Sequence, residues 1–301
     1  MGEREHDLGE AEVANIVWTC ERHKLARDRR EDVAFLECSS KYPVQRKIEE
    51  KPDGHKVISI ITGPEYLQWP TKRRRLHAAA INLSTCIWVG GDPQAEFDQL
   101  FNRSVELHGS SLFTSSDAER HDEYEQIAKK RGSGLKARHV QDCDAYELGA
   151  HLWPSGYFGH FEAWEAQRHK LGCSDVELVC DIEHHPCYLG GGRDWPTLLT
   201  HGTIVGWPPG ISSFRLATSL EHFGSLGLHV TDGVCKHVRP SVMRDSLLKC
   251  SRRQRKFLAG NSMHFASQSV FMIYVLANVV LKPPLQLPRE PFFSEFIDDE
   301  Y

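Results

Sequence analysis

The sequence predicts an α/β fold: one flank of a doubly wound sheet, then an irregular region, then a helical end. Three patterns carry that expectation. Val13, Ile16, Val17 and Cys20 recur at i, i+3, i+4 and i+7, the spacing of one helix face, and predict an amphipathic helix reaching to about Arg29. Short apolar runs bounded by turn residues follow it, and from Ser246 to Leu281 the helical period returns.

Taken in order, Val33-Ala34-Phe35-Leu36 is a buried-strand run that leaves through the polar residues Glu37-Cys38-Ser39-Ser40. In open α/β sheets function gathers at such carboxyl ends. Pro43 to Glu50 reads as a short helix and Asp53-Gly54 as a turn, and the β-branched run Lys56 to Thr62 is a second strand. After a loop from Gly63 to Arg75, Leu76 to Ile87 reads as a third strand, although Ala78-Ala79-Ala80 favours helix. These elements make a first unit over residues 1–89.

Residues 90–210 change character, with short segments, many aromatic residues and clusters such as Gly190-Gly191-Gly192 and Trp207-Pro208-Pro209-Gly210, and read as an irregular second domain. Residues 211–282 return to helices, the first from Arg215 to Leu228, and residues 283–301 read as a loose, proline-rich tail ending Asp298-Asp299-Glu300-Tyr301. The apolar run Val270 to Leu281, interrupted by Asn278, is shorter than the roughly 20 residues a bilayer needs, so it predicts a core helix and no membrane partner.

The 301 residues are 40% hydrophobic and 26% charged with a formal net charge of -5, which excludes global disorder and gives no overall nucleic-acid signature. Basic charge is local, in Lys72-Arg73-Arg74-Arg75, Lys129-Lys130-Arg131 and Arg252-Arg253-Gln254-Arg255-Lys256. Nine scattered cysteines behind no signal peptide predict a reducing, intracellular compartment. His184-His185-Pro186-Cys187, with Cys180 and Asp181 nearby, fits no common zinc spacing, so no metal is expected.

Between the last basic run and the apolar run lies Leu258-Ala259-Gly260-Asn261-Ser262-Met263. Its glycine removes a Cβ that would block close approach, its asparagine offers a donor and an acceptor, and its serine is placed to cap the helix behind it. The segment reads as a turn able to hold a small polar ligand, or as an ordinary helix N-cap.

Four blocks in order resemble the later part of DNA cytosine-5 methyltransferases. A strand ending Glu37-Cys38-Ser39 resembles the family's Glu-Asn-Val, with the Asn lost, and Gln68-Trp69-Pro70-Thr71-Lys72-Arg73-Arg74-Arg75 resembles Gly-x-Pro-Gln-x-Arg-x-Arg. Arg215-Leu216-Ala217-Thr218, Glu221 and Leu226-Gly227 are similar to the family's Arg-x-Leu-Thr…Glu…Gln-Gly segment, preceded by Trp195-Pro196-Thr197-Leu198-Leu199-Thr200. Gly260-Asn261-Ser262-Met263 is similar to Gly-Asn-Ser-Val.

The resemblance implies the later strands of a Rossmann-like methyltransferase sheet with an irregular target-recognition region, acting on DNA in the nucleus. Catalytic roles fall on Glu37 for cytosine N3, Arg75 for O2 and Arg73 in support. Lys72, Arg74 and Arg215 would contact DNA, and Gly260, Asn261 and Ser262 would contact S-adenosylmethionine. Thr71 stands where the family has a glutamine. Neither the family's Phe-x-Gly-x-Gly donor loop nor its Pro-Cys nucleophile occurs before Glu37. The expectation is therefore a truncated or partner-dependent form, inactive alone and completed by a subunit carrying the missing half. The alternative is a non-catalytic DNA-binding or scaffold protein derived from such an enzyme.

Overall fold

The computed structural model describes residues 31–40, 54–103, 107–132, 152, 157–170, 178–183, 192–207, 214–232 and 239–283. The helix expected up to Arg29, the one over Pro43 to Glu50, the His184 to Cys187 cluster and most of the tail lie outside them.

The first sheet contains β1 (Val33–Ser39), β2 (His55–Thr62) and β3 (Arg75–Asn82) in the order β1-β3-β2. β3 is antiparallel to both neighbours, so β1 and β2 run parallel to each other. Strand alternation sends Val33, Phe35, Ile58, Ile60, Ala79 and Ile81 to one face, where they pack with Trp88, Phe97, Phe271, Tyr274 and Val275. The alanines of β3 are buried in a strand paired on both edges, and that position overrides their helix preference. The third strand does not run to Ile87. Asn82 Oδ1 accepts from the backbone N–H and hydroxyl of Ser84, turning the chain into a separate strand β4 (Cys86–Trp88).

α1 (Pro93–Phe101), capped by Asp92, packs on β2, where Gln94 exchanges hydrogen bonds with the backbone of Ile61. α2 (Asp117–Lys130) and α3 (Tyr157–Lys170) lead to an antiparallel sheet of β5 (Val179–Asp181), β6 (Ile204–Gly206) and β7 (Arg215–Leu216). Tyr124, Phe161, Trp164, Trp207 and Phe214 form a core beside it. The expected helix from Arg215 to Leu228 is instead β7 plus the short helix α4 (Ser219–Gly224). Arg215 and Leu216 pair with Gly206 and Val205, and a capping box of Thr218 and Glu221 starts the helix only after them.

α5 (Arg244–Leu248), α6 (Arg252–Asn261), α7 (Phe265–Ala277) and β8 (Val279–Leu281) replace the single helical stretch expected from Ser246 to Leu281. Ser251 and His264 supply side-chain caps that open α6 and α7. Asn278 ends α7, and β8 pairs with β4. Leu220, Phe223, Leu247 and Ala259 share a core with Val179, Trp195, Leu198 and Ile204, so the helical end packs directly on the irregular region. The architecture is mixed α/β, with small antiparallel sheets and helices. Among the described residues no helix is long and apolar enough to cross a membrane.

Candidate functional site

The carboxyl end of β1 and the start of β3 lie side by side, with Glu37 opposite His77 and Ser39 opposite Arg75 in the register. Arg75 Nε stands 3.3 Å from Glu37 Oε1. Burial pushes the Glu37 carboxyl above its usual range, with Arg73 and Arg75 pulling the other way. Cys38 next to it is pushed up to about 11 by burial and by Glu37, so it stays a thiol and is no thiolate nucleophile.

Arg73 sits deeper, 4% exposed, and one guanidinium nitrogen donates to the carbonyl oxygens of Ser262 and Gly260, 189 and 187 residues further along the chain. Burial and the neighbouring Arg75 lower its pKa to about 10, against the favourable charge of Glu37. Lys72 and Arg74, by contrast, are exposed. Lys72 Nζ lies 3.7 Å from Asp194, and Arg74 lies over the Tyr66 ring. Alternation along this stretch separates a buried from a solvent-facing cation.

The loop is held from several sides. Gln68, at φ 63°, turns the chain into it. Trp195 N–H donates to Pro70 O and Lys72 N–H to Trp195 O, both at 2.8 Å, and the Thr197 hydroxyl donates to Lys72 O. Thr71 is buried and donates to Ser225 O at 3.0 Å.

The Gly260-Asn261 pair closes α6 rather than opening α7. Ser262 does not cap the following helix: its hydroxyl donates to Leu258 O at 2.7 Å, and His264 caps α7, its Nδ1 accepting from Ser267 N–H at 3.2 Å. Gly260 is needed for its neighbours. A Cβ there would stand 2.7 Å from Thr200 N and 2.8 Å from Thr200 Cα, so helix α6 meets the 199–200 backbone directly. Asn261 is exposed.

Arg215 lies elsewhere. It is buried, both terminal nitrogens reach the fully buried Glu221, and its guanidinium covers the Phe113 ring. Its donors face a carboxylate in the core, which leaves no free guanidinium for the DNA contact expected of it.

Sequence reasoning passed over His77, Gln268, His264 and Trp69. His77 Nδ1 pairs with Gln268 Oε1 at 3.0 Å, and burial lowers the His77 pKa. Burial, Arg73 and His77 lower that of His264 to about 3. The Trp69 ring meets His264 edge-on at 5.9 Å. Arg73 Nε and Nη1, His77 Nε2, His264 Nε2 and Trp69 Nε1 are buried without hydrogen-bond partners. Unpaired buried groups cost about 1–3 kcal/mol each, so this corner is more polar than folding requires. Strand alternation could have placed His77 beside Glu37, but no local signal brings helix α7 to them.

Cys180 and Asp181 belong to β5, where Asp181 Oδ1 accepts from Glu183 N–H and Thr203 N–H. Among the described residues no cluster of three or more His, Cys, Asp or Glu could hold a metal ion. No protein-family model and no curated protein matches the chain.

Proposed function

We propose that the chain is the later half of a DNA cytosine-5 methyltransferase catalytic domain, the part that recognises the target cytosine, and that methyl transfer needs a further segment or subunit carrying a donor loop and a Pro-Cys nucleophile. One observation carries this reading: blocks that resemble the family in order along the chain also meet in space. Arg75 faces Glu37, Arg73 holds Gly260 and Ser262, Thr71 holds Ser225, and Gly260 lies against Thr200. The sheet leaves room for it: β1 and β2 run in the same direction on either side of the reversed β3, and β1 is an edge among the described strands.

Cytosine C5 is a weak nucleophile until a thiolate adds at C6, and the charge that then develops on the ring needs stabilising. A carboxyl whose pKa is raised by burial is more readily protonated, which suits Glu37 to share a proton with N3 of the base. Arg75, beside it, is placed to donate to O2. The base reaches these groups only when flipped from the duplex, with the exposed Lys72 and Arg74 on the phosphates.

S-adenosylmethionine supplies an electrophilic methyl group when bound. Asn261 is the residue of the last block whose side chain would meet it, since Gly260 and the Ser262 hydroxyl serve the packing and ending of α6. One such contact makes weak binding to this chain alone the expectation.

The test measures transfer of labelled methyl to duplex DNA by the chain alone and mixed with a chain bearing the donor loop and Pro-Cys, alongside DNA binding. Transfer only in the mixture, abolished by Glu37→Gln with DNA binding retained, is the expected result. DNA binding without transfer in any mixture turns the reading to a non-catalytic DNA-binding protein. Absence of DNA binding overturns both.

A further inference from the structure

Gln68 is, among the described residues, the one non-glycine with a positive φ, at 63°. In that left-handed region a Cβ crowds the following carbonyl, so glycine fits it freely and glutamine is held there under strain. The chain fixes the conformation from both sides. Before Gln68, the short helical turn Pro64–Tyr66 closes on Pro64 O, which accepts from Leu67 N–H at 2.9 Å and from Trp69 N–H at 3.0 Å. After it, Trp69 meets the His264 ring and Pro70 O accepts from Trp195 N–H. The fold needs this turn, and a glycine would meet the need with less strain. Glutamine adds its side chain, and that residue is exposed. Strain that the surroundings over-determine gathers at ligand clamps and active sites.

The turn stands among cations. Arg74 lies over the Tyr66 ring at 5.8 Å, which brings residue 74 back beside the turn. Tyr66 O accepts from Arg103 N–H at 2.9 Å and Leu67 bridges to Arg103, so the chain just past α1 runs along it as well. Lys72, Arg74 and Arg103 are all exposed. Two nearby acids are withdrawn: Glu65 Oε2 is buried, and Asp194 engages Lys72. In a chain of net charge -5 this rim is a local attraction for a polyanion. A neutral amide adds nothing to that attraction, but it donates and accepts at once, which is the chemistry of reading a base edge beside phosphate contacts. Its complement in the major groove is adenine, with an N6 donor and an N7 acceptor.

We infer that Gln68 reads an adenine in the major groove of a bound duplex, with Lys72, Arg74 and Arg103 fixing the register on its phosphates. The inference rests on the DNA reading proposed above and deepens it. It adds a base-reading residue outside residues 90–210, the region in which target recognition was expected, and explains why a strained glutamine occupies a glycine position.

The experiment selects duplexes from a random pool with the native chain, then measures dissociation constants for the selected duplex and its single-base changes with the native chain, Gln68→Gly, Gln68→Ala and Arg103→Ala. The native chain is expected to select adenine at one position and to discriminate against the other bases there by about tenfold. Gln68→Gly loses that discrimination, keeps the salt slope, and melts about 1–2 °C higher, because the strain relieved outweighs the extra unfolded freedom of glycine. Gln68→Ala loses the discrimination too but melts no higher, which separates the amide from the backbone. Arg103→Ala keeps the adenine preference and lowers the salt slope by about one unit. Discrimination retained in Gln68→Gly or Gln68→Ala, a Gln68→Gly chain that melts lower than the native one, or an unchanged salt slope in Arg103→Ala overturns the inference while DNA binding stands. A native chain that binds no duplex overturns the DNA reading beneath it, which is a distinct result.

Discussion

Arg73 donates a hydrogen bond to the carbonyl oxygen of Ser262, tying the loop before β3 to the end of α6 across 189 residues of chain. The same side chain lies close enough to Glu37 for each to shift the other's pKa. One buried cation thus links the carboxyl that would meet a base to the segment that would meet a methyl donor.

Arg73→Ala removes this tie and leaves two carbonyls short of a charged donor. Hydrogen bonds to charged groups contribute about 1.5–3 kcal/mol, and removal of the two unpaired Arg73 nitrogens offsets part of this, so a net loss of about 1 kcal/mol is expected as a lower urea midpoint at constant slope. Arg73→Lys recovers less than half, since one ammonium cannot reproduce the guanidinium geometry. Native stability in Arg73→Ala would show that the tie carries no weight.

Gly260→Ala separates the packing role of this glycine from a ligand role. Its new methyl meets backbone atoms of Thr200 at 2.7 and 2.8 Å, and backbone yields poorly. A destabilisation of about 1–3 kcal/mol follows, measured without any ligand present. If stability were unchanged and only donor binding fell, the glycine would be serving a ligand.

The basic residues divide by burial. Breaking the Arg215–Glu221 pair with Glu221→Ala strands a buried cation and is expected to cost about 3–5 kcal/mol. Lys72→Ala and Arg74→Ala leave thermal stability nearly unchanged, and each lowers the salt dependence of DNA binding by about one unit of slope. Equal salt slopes in the native chain and both variants would remove the 72–75 loop from the DNA surface.

His264 sets a pH dependence. Its folded pKa of about 3 lies below the ordinary value of 6.5, so below pH 6.5 the unfolded chain binds the proton more readily. The stability this histidine contributes is fully present above pH 6.5 and is lost as pH falls toward 3. Between pH 7.5 and pH 5 the native chain should lose about 2 kcal/mol more than His264→Asn, which keeps a side-chain oxygen for the cap. Urea denaturation at the two pH values gives the difference, and parallel losses would refute it.

Periodicity located β1 and β2 well because both are short β-branched or apolar runs between turn residues, and the turn at Gly54 is likewise where Asp53-Gly54 put it. It overran β3, whose apolar character continues into β4 past a turn made by one asparagine side chain. It also overran the helices after Arg215, because apolar spacing persists across Thr218, Ser251 and His264 while side-chain caps break the backbone there. Glu37, Arg73 and Arg75 were legible only through the family resemblance, and the structure sets them side by side without assigning them a role. His77, Gln268 and His264 were not legible, since their meeting depends on how α7 lies on β3.

The sequence by itself determined the first two strands and the turn before the second, where the cations cluster, and the order of the blocks that resemble a methyltransferase. These are properties of neighbours along the chain, set by side-chain period and turn chemistry. Only the tertiary structure decided that Arg73 is buried while Lys72 and Arg74 face solvent, that Gly260 serves a backbone contact with Thr200, and that Arg215 is spent on Glu221. Those outcomes depend on which distant backbone and which opposite charge arrive at each residue, and burial then sets what each charge and each missing Cβ is for.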